Sequence, residues 1–287
     1  MAAILKLVQG TAEWLAHRNH CRNASESAVV MGLSPWQTPY QLWELRTGRR
    51  ETSAPTVAMQ HGTAMEPLAR AAYEVQTGLI MQPLVMQDGH YSASLDGMTL
   101  DGERIVEIKC PYKGQASALW QSVATGTVPE HYRIQIQHQL MVCDAVIADL
   151  FVFDGQEGLL VEITRDEACM HAIRAAWDRF QTCLDTDTPP PLTDRDTVER
   201  RDPEWRSAAK AFTEAKAVLE AASVKLDEAR QALIGLTRHA CEKGDGVTVV
   251  KVFKQGSVDY KKVPELKGVD LDRYRKPGAM EVRVGLS

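Results

Sequence analysis

Between Thr56 and Cys110 the hydrophobic period of this 287-residue chain changes, and that change restricts the folds open to it. From Thr56 to Gln76 apolar residues recur at helical spacing and Gly78 stops the run, so a helix carrying Glu66 is expected there. Then "LIMQPLVMQ", "YSASLDGM" and "ERIVEIKC" read as three strands joined by Gly-containing turns, close enough in sequence to pair antiparallel. A helix over roughly His131 to Val142 carries "IQIQHQL". Two more strands, "AVIADLFVFDG" and "GLLVEITRDE", precede a helix over Glu167 to Leu184 that ends at "TDTPPPLTD". Helices, strands, helix, strands, helix: the order predicts an α+β fold with a mixed sheet flanked by helices.

Upstream, Thr11 and Ser25 are helix-start candidates, the second opening a short apolar helix that ends near Gly32. "TPYQLWELRTG" has Thr38 as N-cap, Pro39 at the first helical position and Gly48 past the end. The Pro-rich stretch is the expected boundary between a core over residues 1–191 and a C-terminal extension over 192–287. In the extension, Asp202 and Pro203 start a long helix. Trp205, Phe212, Leu219, Leu226 and Leu233 fall seven apart, with Ala208, Ala215, Ala222, Ala229 and Leu236 three residues after each. This heptad seam suits packing on its own domain or a neighbouring helix, or self-association. "GVTVVKVFKQGSVDYKKV" reads as a small basic hairpin.

Net charge is −5, with no global attraction to nucleic acid, but its distribution is uneven. Residues 1–200 hold 16 Lys and Arg against 25 Asp and Glu, whereas residues 201–287 hold 17 against 13, so the tail is locally basic. The six cysteines form no CxxC pair or zinc-like spacing, which suits reduced thiols and a cytoplasmic location. No secretory signal and no membrane-length apolar run is legible.

Alternation along a strand places Glu107 and Lys109 on one face of "ERIVEIKC", with Val106, Ile108 and Cys110 on the other. A cross-strand ion pair on a solvated face would account for that triplet alone. Asp96, read as lying in a turn at the start of the hairpin, brings a second carboxylate towards Glu107. Hard divalent cations take oxygen ligands, usually one or two carboxylates with retained waters, and two such ions can flank a phosphate. Asp96 and Glu107 meet that demand, and the Lys109 ammonium would offset charge building on a phosphorane.

This arrangement resembles the PD-(D/E)XK nuclease superfamily, with "SLD" for its first half and "EIK" for its second. Within it the match is to the phage lambda exonuclease and YqaJ-like viral recombinase family. The resemblance spans about Thr11 to Leu184 and rests on "EWLAHRNHCRNASE", "HGTAMEP", "SLDG", "EIKCP" and "YRIQIQHQL", in that order. It implies that Asp96, Glu107 and the main-chain carbonyl of Ile108 ligate Mg²⁺ or Mn²⁺, with Glu66 helping to hold a second ion. Lys109 would orient or activate the attacking water and Gln135 would act near it. Arg18 and Ser25 match the positions that grip the 5′ phosphate of the digested strand. Gln137 and Met59 are further DNA-binding candidates, Met59 as an apolar wedge at the duplex end. An alternative for Glu66 is a simple ion pair with Arg70, one helical turn away.

The implied activity is 5′-to-3′ exonuclease digestion of double-stranded DNA to 5′-mononucleotides, leaving a 3′ single strand for annealing-type recombination. The implied assembly is a ring-shaped homotrimer working with a single-strand annealing protein. Two other readings stay open on the sequence. One is a Cas4-like or RecB-type nuclease, although the cysteines do not bracket the core as an iron–sulfur cluster requires. The other is a catalytically inactive scaffold that binds DNA ends.

Overall fold

The chemistry of the helix caps decides where most helices of the chain begin. In the computed structural model, which describes residues 2–52, 54–253, 263–266 and 269–270, a short strand β1 (Ala3–Leu5) is followed by α1 (Ala12–Asn19). The Thr11 hydroxyl accepts from Trp14 N and caps α1. After β2 (Arg22–Asn23), a 3-10 turn at Ala24–Glu26 runs into α2 (Ser27–Val30). Ser25 therefore does not open a helix: it sits within the turn, and its hydroxyl accepts from Arg18. Thr38 and Gln41 form a reciprocal capping box at α3 (Pro39–Arg46), as Pro39 at the first position foretold. Thr56 caps α4 (Val57–Thr77), and Gly78, at φ +74°, ends it in the left-handed conformation that glycine adopts without steric cost.

The three strand-like runs form an antiparallel meander, β3 (Gln82–Asp88), β4 (Tyr91–Met98) and β5 (Arg104–Lys109). A crossover containing α5 (Ala118–Ala124) and α6 (Glu130–Cys143) then makes β6 (Ile147–Phe153) parallel to β5, with Glu107 opposite Leu150 and Lys109 opposite Val152. β7 (Gly158–Thr164) returns antiparallel and leads into α7 (Glu167–Asp185). The sheet order is β1-β3-β4-β5-β6-β7, and β2 pairs with β4 in parallel.

Each sheet face is covered. On one side α2, α6 and α7 bury Ile134, Leu140, Ile173 and Trp177 with Ile105, Leu150 and Val152. On the other, Ala69 and Tyr73 of α4 pack on Val106, Ile108, Phe151 and Phe153. The nearly unbroken apolar run of β6 follows from this, because a strand covered on both faces has no solvent side to mark with polar residues. Asp149 is its buried exception, paired with Arg104 and accepting from the Tyr73 hydroxyl.

Met1–Thr197 and Val198–Ser287 are separate compact units. The first extends past the Pro-rich stretch because Arg195 donates to the Ser34 and Pro35 carbonyls (2.7 and 2.8 Å), and Asp196 accepts from the Thr38 hydroxyl. In the second unit, Asp202 caps α8 (Pro203–Leu236), a helix with no buried residue. Trp205, Leu219, Leu226 and Leu233 of the heptad seam are all exposed. The basic hairpin expected over residues 246–263 differs in register. β9 (Val247–Val250) pairs backwards with β8 (Cys241–Gly244), and residues 254–262 lie outside the described residues. No helix among the described residues is long and apolar enough to cross a membrane.

Candidate active site

β4 and β5 pair at Gly97–Val106 and Met98–Ile105 and then part. Asp96 lies inside β4, not in a turn as the sequence suggested. Where the ladder stops, its carboxylate takes the place of a main-chain acceptor and receives the Ile108 N–H at 2.8 Å. Gly97 permits the approach that follows: a Cβ there would fall 2.7 Å from Met81 Cβ and 2.9 Å from Val106 Cγ1.

Glu107 faces α6 as strand alternation required, and it is 2% exposed. Lys109 Nζ pairs with its Oε1, which also accepts from Gln135 Nε2 at 2.6 Å. Gln139 Nε2 donates to the other oxygen at 2.5 Å. Burial, and then the neighbouring Glu107 charge, push the Asp96 carboxyl well above the usual carboxylate range, against the pull of Lys109. Burial works against the Lys109 ammonium too, but Glu107 and Asp96 outweigh it and raise its pKa. The lysine is therefore a fixed positive charge. Its Nζ also lies 5.4 Å from the centre of the Tyr132 ring.

α4 reaches the same place from the opposite side of the sheet. Arg70 Nε donates to the Asp96 carbonyl and Arg70 Nη2 to Glu66, both at 2.6 Å. Glu66 is thus beside Asp96 but engaged with Arg70, as the ion-pair alternative anticipated. Met59 is exposed in the first turn of α4. It lies two turns from Glu66, about 10 Å along the axis at 1.5 Å per residue.

The DNA-end candidates divide. Arg18 and Ser25 meet, with Arg18 Nη2 donating to Ser25 Oγ at 3.0 Å. The Arg18 guanidinium also lies against the Trp14 ring, 4.8 Å from its centre. Glu26 is 3.8 Å from Arg18 and bonds Arg46 at 2.5 Å, so two guanidinium groups share one carboxylate and leave a net positive charge. α1 docks on β4 just upstream of Asp96, Trp14 Nε1 donating to Ser94 Oγ and His17 Nε2 meeting Ser92 Oγ, each at 2.9 Å. Gln137 goes elsewhere. It is buried, its amide donating to the Thr164 carbonyl (2.7 Å) and accepting from Asp166 N (2.8 Å), and it braces the turn between β7 and α7. Gln139, which the sequence reading passed over, stands in its stead. The signal was available in "IQIQHQL", since residues four apart on a helix share a face and residues two apart do not.

Among the described residues no group of three or more His, Cys, Asp or Glu converges as a ready metal site. The fit to a cation therefore rests on two carboxylates. Glu107 is close enough for its charge to disfavour that of Asp96, and the oxygens of both are the hard donors that Mg²⁺ or Mn²⁺ takes. The six thiols are all free and four of them are buried.

The part of the chain that carries this constellation is similar to known proteins. Residues 13–146 match the model of the YqaJ-like viral recombinase domain. The matched span takes in Arg18, Ser25, Glu66, Asp96, Glu107, Lys109, Gln135 and Gln139. The chain is similar to the uncharacterized protein YqaJ of Bacillus subtilis, 25% identical over 177 residues, which cover 58% of this chain and 54% of that one. It thus spans about half the length of that curated relative. Its fold is similar to an alkaline exonuclease, LHK-Exo, from Laribacter hongkongensis (28% identity, TM-score 0.53), covering 62% of this chain and 94% of that one. LHK-Exo solved in complex with dAMP gives a TM-score of 0.54 at 26% identity, with the same coverage.

Proposed function

We propose that this chain is a metal-dependent 5′-to-3′ double-stranded DNA exonuclease, releasing 5′-mononucleotides and leaving a 3′ single strand for annealing-type homologous recombination. The observation that carries this reading is the meeting of Asp96, Glu107 and Lys109 where β4 and β5 part. The likeness to an alkaline exonuclease supports it, and that enzyme's complex with a nucleoside monophosphate accords with a mononucleotide product.

Asp96, Glu107 and the Ile108 carbonyl would hold Mg²⁺ or Mn²⁺, with Glu66 serving a second ion in exchange for Arg70. Bound there, the metal supplies Lewis-acid polarisation of the scissile phosphate. The protein's own groups do the rest. Lys109, ion-paired with Glu107, is placed to orient the attacking water and to offset negative charge on the phosphate. Gln135 and Gln139 fix the Glu107 carboxylate against rotation. Water attacks in line and the 3′ oxygen leaves. Arg18 and Ser25 grip the terminal 5′ phosphate and set the register one nucleotide at a time.

An acidic chain needs another way to stay on DNA. A closed homotrimeric ring would retain the duplex by topology while only its channel is basic, and the 3′ strand would pass to a single-strand annealing protein. The test is a linear duplex with 5′ phosphates, labelled at either the 5′ or the 3′ end of one strand, incubated with Mg²⁺. A 5′ label released first as mononucleotide, lost in EDTA and slowed when the phosphate is removed, is the expected result. First release of the 3′ label would reverse the polarity and end the roles given to Arg18 and Ser25.

A further inference from the structure

Trp36 is 68% exposed, yet it is not a loose side chain. Its ring meets His131 edge-on at 4.6 Å between centres and lies 5.9 Å from Tyr132. His131 and Tyr132 are themselves in contact at 4.2 Å, and the far side of the cluster reaches the Lys109 ammonium through Tyr132. The loop that bears Trp36 is held as well. Ser34 Oγ accepts from Trp36 N and Gln37 N, and Arg195 clamps the carbonyls on either side of the Ser34–Pro35 bond. Burial, and then Lys109, lower the His131 pKa, which keeps that imidazole neutral. The result is an aromatic surface, braced by His131 and Tyr132 and by the hydrogen-bonded loop, that opens to solvent near the candidate catalytic lysine.

A large apolar ring held in the open leaves most of its area without the stabilisation that burial gives. Its use is to meet something flat that arrives at the Lys109 site. We propose that Trp36, braced by His131 and Tyr132, is a stacking platform for a nucleobase of the strand being digested, and that Arg195 is the residue that positions it. This rests on the DNA-end reading above. It extends that reading from the phosphates, which carry no base information, to the base itself. A stacking face accepts all four bases, so the platform raises affinity for an unpaired or fraying end without imposing sequence preference.

The experiment measures binding by fluorescence anisotropy in Ca²⁺. It uses duplex ends with a 5′ phosphate in which each of the first four nucleotides of the digested strand is replaced in turn by an abasic analogue. Wild type is expected to lose affinity at one position, roughly tenfold for one lost base–aromatic stack. Trp36→Ala should bind the intact end as weakly as wild type binds that abasic end, and no longer distinguish the two. Trp36→Phe should restore most of the discrimination, and Arg195→Ala should lie between. Trp36→Ala that discriminates as wild type does, or wild type indifferent to every abasic position, overturns the platform. The same proteins are assayed for Mg²⁺ cleavage. Base-dependent binding without cleavage by wild type would refute the nuclease reading and support the platform on a binding module.

Discussion

Glu107 is held by three donors, and hydrogen bonds to a charged acceptor contribute more than neutral ones, about 1.5–3 kcal/mol each. The alternating glutamines of α6 therefore do different work, and that is testable. Gln137→Ala strips two bonds from the turn between β7 and α7, and should cost about 1–3 kcal/mol in urea unfolding while leaving kcat/KM on DNA within about twofold. Gln135→Ala should do the opposite, with a small change in stability and at least about a tenfold loss of rate, since Glu107 loses a positioning contact. A Gln137→Ala protein of native stability that no longer binds DNA ends would return that residue to the substrate path. Glu107, Lys109 and Asp96 were legible because strand alternation and a short hairpin fix their relative placement. Gln135 was legible too, and Gln139 was passed over although the helix expected there puts residues 135 and 139 on one face and 137 on another.

At the scale of elements, the parting of β4 from β5 is what creates the site, and Gly97 is the residue that allows the close pairing beside it. Gly97→Ala would press a methyl group onto Met81 and Val106, and should destabilise by about 1–3 kcal/mol, seen as a lowered melting temperature. Unchanged stability would mean that the strands can spread there at no cost. The elements legible in advance were those long enough to show a period, α4, α6, α7 and α8 and the strands β3 to β7, or marked by a cap, as Thr11 marked α1 and Thr38 marked α3. β1, β2 and α5 were not seen, having three, two and seven residues. Pairing with β3 and β4 makes strands of the first two, and no local pattern records that contact. Ser117, which caps α5, was the available signal for the third. Asp96 was placed in a turn for a related reason: "SLDG" carries turn residues, and the neighbouring strands keep it extended.

For the molecule as a whole, the core on the α6 side contains a titratable group. His138 is fully buried, bonded to Ser27, which also receives the Trp177 indole N–H, and it stands edge-on to Tyr91. Burial, then the Arg174 charge, lower its pKa to about 3. The unfolded chain binds a proton near pH 6.5 that the folded chain refuses, so stability falls as pH drops through the interval between the two values. The slope from this group is about 1.4 kcal/mol per pH unit. Unfolding between pH 6 and 4 should show that slope, and His138→Gln should flatten it; an equal slope in both proteins would place the acid sensitivity elsewhere. The heptad seam of α8 is an exposed apolar stripe in a separate unit, and sedimentation of the full chain should report a trimer if the ring forms as proposed, whereas a monomer would contradict the ring. The most direct test of the central claim remains chemical. Linear duplex with 5′ phosphates and covalently closed circular duplex are incubated with Mg²⁺ and either wild type or Lys109→Ala. The account predicts that wild type shortens the linear DNA alone, and that Lys109→Ala is slower by about 10²–10⁴-fold while remaining folded. Cleavage of the circle, or undiminished digestion by Lys109→Ala, would contradict it.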